Sequence, residues 1–305
     1  MSFSYTVLGS SSALPTSTRN LSAYVLHIHE RIFLLDCGEG TQMQLRKNKV
    51  KLGRLNHIFI SHIHGDHTFG LFGLLSSFNL MGRKNELHIY GPPELDNILN
   101  IHLELFDIKL FYPLIFHRVD CGSSERIYED RLVYVDSFPL LHRIPTCGYL
   151  FVEKEKSRSL KPEMIELYNI PIQLRSGIKN GADFISDSGQ RIPNKTLTKD
   201  ALPGRSFAYC TDTMFNRGIV SKIKNIDLLF HESTYMEEDS SLAKNNFHST
   251  ARQAAMIAKE AGVKKLILGH FSTRYKNLNL LLDEARLVFP ESFLAEDGQI
   301  WEIER

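Results

Sequence analysis

His62-Ile63-His64-Gly65-Asp66-His67 constrains this chain more than any other stretch. It follows the apolar run His57-Ile58-Phe59-Ile60-Ser61, so it starts where a buried strand should end. Three imidazoles and a carboxylate so close together gain nothing from burial by themselves, and protonated imidazoles would repel one another. Around a metal they are complementary. Neutral imidazole suits zinc, and the harder carboxylate permits a second ion beside the first. Gly65 has no Cβ and allows the tight turn that brings both ends of the motif to one point. The bland alternative is a loop of surface histidines, but the HxHxDH spacing is rarer than such clusters.

A binuclear site needs more ligands than four neighbours can supply. Asp212 follows the strand-like run Ser206-Phe207-Ala208-Tyr209-Cys210, and His270 follows Lys265-Leu266-Ile267-Leu268-Gly269. His142 closes the alternating apolar segment 132–141. Each candidate therefore lies where a strand gives way to a loop, which is where a layered α/β enzyme presents its chemistry.

Composition bounds the rest. A chain of 305 residues that is 43% hydrophobic can bury one sizeable core. No apolar run approaches the roughly 18–20 residues of a spanning helix, and the start lacks the basic region and cleavage pattern of an export signal. Cys37, Cys121, Cys147 and Cys210 form no CxxC pair, which predicts buried or idle thiols and a reducing, cytoplasmic setting. Helices are expected at 41–47, at 68–81 with Asp66 and His67 just before it, from Pro92-Pro93 to about Leu105, and at 250–261 between an N-cap at Ser249 and a stop at Gly262. Gly70 and Gly73 should let the second of these pack closely. His27 and His29 read as strand neighbours sharing a face, and His57, His88, His102 and His117 as structural or surface residues. Residues 151–205 carry ten Lys or Arg against seven Asp or Glu, and their second half is rich in Gly, Pro, Asn and Ser. They are expected to protrude as an insertion.

Further motifs give the chain a family resemblance over nearly its whole length. They are Pro15-Thr16-Ser17-Thr18-Arg19-Asn20, Asp36-Cys37-Gly38-Glu39-Gly40-Thr41-Gln42, Cys210-Thr211-Asp212-Thr213, His231-Glu232-Ser233-Thr234, His248-Ser249-Thr250 and Leu268-Gly269-His270-Phe271-Ser272. With HxHGDH they resemble the metallo-β-lactamase superfamily and, within it, the RNase Z family of tRNA 3′-processing endoribonucleases. The His-Glu-Ser-Thr and His-Ser-Thr boxes are the specific part. Two departures touch substrate binding: Ser17 stands where the family has Lys, and Ile172-Gln173 where it has Gly-Pro.

The resemblance implies an α/β fold, the αβ/βα four-layer sandwich of that superfamily, as one domain over 1–305 with 151–205 as an inserted tRNA-binding arm. It implies two zinc ions per subunit, one on His62, His64 and His142, the other on Asp66, His67 and His270, with Asp212 between them. Asp66 would take the proton of the attacking water, and His248, oriented by Glu232, would protonate the departing ribose oxygen. Asp36 would brace the ligand loops, and Arg19 with Asn20 would contact the substrate. The implied partners are tRNA precursors and a second copy of the chain, with no membrane. A small-molecule phosphodiester or sulfate-ester hydrolase on the same scaffold is the alternative, and the arm and the two boxes are what separate the readings.

Overall fold

The computed structural model describes residues 2–304. Their contacts divide into two compact units, one running to Val152 and again from Ser206, the other spanning Glu153–Arg205. The larger unit opens with β1 (Phe3–Gly9), β2 (Ala23–Ile28), β3 (Arg31–Leu35), α1 (Thr41–Lys47), β4 (Leu55–Phe59), α2 (Gly65–Leu80), β5 (Leu87–Gly91), α3 (Pro93–Leu105) and β6 (Leu114–Arg118). It continues through β7 (Glu125–Glu129), β8 (Val133–Leu140) and β9 (Thr146–Glu153). The smaller unit holds β10 (Ser159–Leu160), α4 (Pro162–Leu167), α5 (Ile172–Lys179), β11 (Phe184–Ile185), β12 (Arg191–Ile192), α6 (Asn194–Leu197) and β13 (Thr198–Lys199). The larger unit then resumes with β14 (Ser206–Cys210), β15 (Leu228–Glu232), α7 (Ser240–Asn245), α8 (Ala251–Ala261), β16 (Lys265–Gly269), α9 (Asn279–Arg286), β17 (Ser292–Leu294) and β18 (Ile300–Glu302).

Two seven-stranded sheets carry the larger unit, in the orders β18-β1-β2-β3-β4-β5-β6 and β17-β16-β15-β14-β9-β8-β7. Their inner strands are buried on both faces, and the period of two sorts residues between two cores. On β2, Tyr24 and Leu26 join the core between the sheets while Ala23 and Val25 face outward; β3 sends Phe33 and Leu35 one way and Ile32 and Leu34 the other. Aromatic rings lock the sheets together, Tyr5 against Phe207 at 4.8 Å and Phe59 against Phe151 at 5.2 Å. Helices α2 and α3 cover the outer face of the first sheet through Leu71, Leu74, Phe78 and Leu95. Ala254, Ile257, Ala258 and Leu281 of α8 and α9 belong to the core of the second sheet. This is the αβ/βα sandwich that the sequence resemblance implied.

The smaller unit has a core of its own, formed by Ile170, Ile178, Phe184, Ile192 and Leu197. Asn194 pins it, donating from Nδ2 to the carbonyls of Ile178 at 2.6 Å and Ala182 at 2.7 Å. A buried ion pair between Glu153 and Arg205, 2.8 Å apart, joins its two ends.

Four expectations are corrected. Cys121 and Cys147 are not idle thiols but are joined by a disulfide, whereas Cys37 and Cys210 are free and buried. Cys121 follows β6 in one sheet and Cys147 lies on β9 in the other, so the sandwich brings them together and no sequence spacing announces it. Helix α2 begins at Gly65, with the His67 N–H bonded to the His64 carbonyl at 3.1 Å, so Asp66 and His67 sit inside its first turn. Thr250 rather than Ser249 caps α8, because Thr250 and Gln253 form a reciprocal capping box while the Ser249 hydroxyl donates to the Thr213 carbonyl. His29 does not share a face with His27: it lies at φ 55° in the turn after β2. Gly262 does end α8, at φ 66°.

Gly70 is where backbone meets backbone. A Cβ there would lie 2.0 Å from the Gly38 carbonyl oxygen, and the Gly70 N–H bonds the Cys37 carbonyl at 2.9 Å. At Gly73 the nearest atom is 3.5 Å away, on the flexible Gln42 side chain. Gly70→Ala is therefore expected to destabilise by about 1–3 kcal/mol or more. Gly73→Ala should be neutral or stabilising by up to about 1 kcal/mol, since Ala favours helix over Gly. Urea unfolding of both variants checks the pair; equal losses would mean that α2 does not touch the Gly38 loop as described.

Candidate metal centre and active site

Strand ends deliver the site. His62 and His64 follow β4, Asp66 and His67 open α2, His142 follows β8, Asp212 follows β14 and His270 follows β16. The structure brings all seven together. Ligand atoms of His62, His64, His142 and Asp212 lie within 4.8 Å of one another, and so do those of Asp66, His67 and His270. His64 Nδ1 is 2.9 Å from His62 Nε2 and 3.3 Å from His142 Nε2, while His270 Nε2 is 3.1 Å from Asp212 Oδ1 and 3.5 Å from Asp66 Oδ2. Nitrogens and carboxylate oxygens converging this way, buried or nearly so, are the donor set of a divalent metal.

The rings are aimed from behind. His67 Nδ1 donates to Asp36 Oδ2 at 2.7 Å, and His142 Nδ1 to the Phe247 carbonyl at 2.9 Å. Ser61 lies between Asp36 and His62: its hydroxyl is 2.9 Å from Asp36 Oδ2 and 2.9 Å from His62 Nδ1. In these three rings Nδ1 is engaged and Nε2 is left for the site, whereas His64 turns Nδ1 toward His62 and His142. Burial holds His62 well below the usual imidazole range, and His64 and His142 are lowered for the same first reason, so these three are neutral as ligation requires. His67 differs. Burial opposes its charge, but Asp212, Asp66 and Asp36 outweigh it and push the ring well upward. Asp66 and Asp212 stay ionised despite burial, the first chiefly through His67, the second through His270 and His67.

Beside this cluster lies a pair of another kind. His248 Nδ1 is 2.8 Å from Glu232 Oε1. Glu232 is wholly buried and accepts three more bonds, from Thr213 N at 2.9 Å, Thr234 N at 3.1 Å and Thr234 Oγ1 at 2.6 Å. Burial disfavours the imidazolium of His248, but Glu232 overrides it and moves the ring up to about 9. Asp212, His248 and His270 also satisfy the geometry of a ligand group, so distance alone does not separate donor from ligand at His248. All these residues, except those wholly behind the surface, line a cavity of about 620 Å³. Its rim adds Phe69, Arg143, Tyr235 and Asn246, which sequence reasoning missed because no motif marks them.

Arg19 and Asn20 are not brought into this cavity. Arg19 lines a neighbouring one of about 790 Å³ with Thr16, Ser17, Thr18 and Lys276. Asn20 is fastened by its N–H and Nδ2 to Asp297, at 2.7 and 2.9 Å. The same loop reaches the metal cluster from its other end, where the Ala13 N–H donates to Asp66 Oδ2 at 2.9 Å.

A sandwich of two mixed sheets with a His/Asp centre at its strand ends defines a metal-dependent hydrolase of the metallo-β-lactamase fold. Known proteins agree. The Beta-lactamase superfamily domain model matches residues 191–271 and the Anti-Pycsar protein Apyc1 model residues 3–104. Ribonuclease Z of Bacteroides fragilis is 47% identical over 97% of this chain and 97% of its own length. Human tRNase Z, short form, has 30% identity and a TM-score of 0.73, with 99% of this chain and all of that chain covered. The metallo-β-lactamase fold protein YhfI from Bacillus subtilis, at 18% identity and TM-score 0.71 over 99% of this chain and 100% of that one, shares the fold. The chain belongs to the ribonuclease Z family.

With its folded pKa raised, His248 contributes stability that is whole below pH ~6.5, the ordinary imidazole value, and is lost as pH rises through about 9. Glu232→Gln removes the cause, so an NMR titration should move the His248 midpoint from about 9 to the ordinary range or below. An unmoved midpoint would show that Glu232 does not hold the proton on His248.

Proposed function

We propose that this chain is a zinc-dependent endoribonuclease that cuts tRNA precursors after the discriminator base, leaving a 3′-hydroxyl on the tRNA and a 5′-phosphate on the trailer. The observation that carries the reading is the Glu232–His248 pair beside the His/Asp cluster, in a chain 47% identical to a ribonuclease Z. A small-molecule phosphodiester or sulfate-ester hydrolase is the alternative, and the separate unit at 153–205 together with the likeness to a ribonuclease Z over 97% of the chain favours the tRNA substrate.

His62, His64 and His142 would hold one zinc and Asp66, His67 and His270 a second, with Asp212 shared between them. Zinc bound there supplies a Lewis acid that lowers the pKa of a water toward ~7 and offsets charge on the phosphate. The residues do the rest. Asp66, steadied by the Ala13 N–H, takes the proton of the attacking water. His248 carries its proton because Glu232 stabilises the imidazolium, and with Nδ1 engaged it gives the proton from Nε2 to the departing 3′-oxygen. Arg19 contacts the substrate from the neighbouring cavity, and Asn20 holds that loop through Asp297.

Residues 151–205 serve as the arm that grips tRNA within the single domain of 1–305. A compact unit with its own core and a basic excess supports this. By family likeness the enzyme is a homodimer in which one subunit's arm serves its partner's site, and it acts in the cytoplasm, where tRNA precursors are made. Among the described residues no helix is long and apolar enough to cross a membrane.

Product ends decide the reaction: a precursor with a 3′ trailer should yield tRNA with a 3′-hydroxyl, and a 3′-phosphate or no cleavage would overturn it. His248→Ala should slow this substrate about 10²- to 10⁴-fold in single turnover yet spare bis-nitrophenyl phosphate, whose nitrophenolate leaves without protonation. His64→Ala should harm both alike. Equal slowing by His248→Ala would remove its role as donor. Replacing the arm by a Gly-Ser linker should abolish precursor cleavage while leaving the small ester within about tenfold, because remote binding energy is used for positioning.

A further inference from the structure

Thr234 has no part in the mechanism so far, yet it touches both halves of it. It lies two residues past β15 and is 1% exposed. A threonine hydroxyl has one proton to give and two lone pairs that accept. Its oxygen is 2.6 Å from Glu232 Oε2, an ionised carboxylate that can only accept, so the proton goes there. Toward its other neighbour, His270 Nδ1 at 3.0 Å, the hydroxyl can then only accept. A neutral His270, the form that metal ligation requires, then carries its hydrogen on Nδ1 and turns Nε2 toward Asp212 and Asp66. His248 Nδ1 also approaches the hydroxyl at 3.3 Å, longer than its 2.8 Å bond to Glu232.

We propose that Thr234 is a positioning residue that couples the metal centre to the proton donor: one hydroxyl fixes His270 as an Nε2 ligand and holds Glu232 where it orients His248. Ser61 repeats the arrangement on the other side of the site, set between the Asp36 carboxylate and His62 Nδ1. A carboxylate–hydroxyl–imidazole chain thus stands behind two of the ligands. Thr234 is unlike Ser61 in that its carboxylate belongs to the proton-donating pair, so metal retention and leaving-group protonation share one atom. The inference rests on the metal and donor roles proposed above.

Thr234→Val keeps the shape and removes the hydroxyl; Thr234→Ser keeps the hydroxyl. Zinc content is measured by elemental analysis after dialysis against graded chelator, and single-turnover rates are measured on precursor and on bis-nitrophenyl phosphate. The valine variant should release zinc at roughly 10–100-fold lower chelator, the usual cost of losing an outer partner of a ligand. Its precursor rate should fall at least about tenfold more than its small-ester rate, as for loss of a proton donor. The serine variant should restore both. A valine variant that loses only thermal stability, keeping zinc and the ratio of rates, would overturn the proposal and leave Thr234 a structural residue. If wild-type protein fails to cut precursor, the function reading falls, while the zinc measurement still decides whether Thr234 sets the ligand. Should the valine variant not fold, 15N NMR of the wild-type histidines decides, with His270 assigned from His270→Gln: an Nε2–H tautomer at His270 would sink the proposal and an Nδ1–H tautomer would support it.

Discussion

One buried carboxylate organises this protein. Asp36, fully inaccessible and at φ 54°, receives the Ser61 N–H at 2.7 Å, the Ser61 hydroxyl at 2.9 Å, His67 Nδ1 at 2.7 Å and the Tyr209 hydroxyl at 2.6 Å. Those donors come from the loop after β4, the first turn of α2 and a strand of the opposite sheet. An unpaired carboxylate so deep would cost several kcal/mol; saturated, it ties the two sheets together and sets the orientation of His67 and, through Ser61, of His62. Remove it and the ligands lose their common reference, although none of its atoms faces the cavity.

The strand ends and the ligands were legible in the amino-acid sequence because both follow short-range rules. The apolar run before His62, the strand-like runs before His142, Asp212 and His270, and the Gly262 stop all depend on a few adjacent residues. What escaped depends on distance in space. Cys121 and Cys147 meet only because β6 and β9 lie in facing sheets. Phe69 and Arg143 reach the cavity rim only once α2 and the loop after β8 are in place. Thr234 stood in a recognised box, but its link to His270 crosses 36 residues and could not be read from either motif. Asn20 was expected near substrate, and its donors go instead to Asp297, 277 residues away.

A net charge of +1 looks poor for a protein that handles RNA. The distribution matters more than the sum. The excess of Lys and Arg lies in 151–205, ten against seven Asp or Glu, while the rest of the chain carries 26 against 28. Under the proposed function, affinity for the polyanion and chemistry on one phosphodiester would lie in separate parts of the chain.

Each half of the metal centre draws on both ends of the sequence: His62 and His64 meet His142 and Asp212, and Asp66 with His67 meets His270. During synthesis, amino-terminal segments emerge and collapse first. They would present four of the ligands close together in the chain, yet the first half is not closed until Asp212 has left the ribosome and the second not until His270 and the strand before it have done so. A nascent chain of this kind carries no complete metal centre past the rRNA and tRNA around it until His270 is free to fold onto Asp66 and His67.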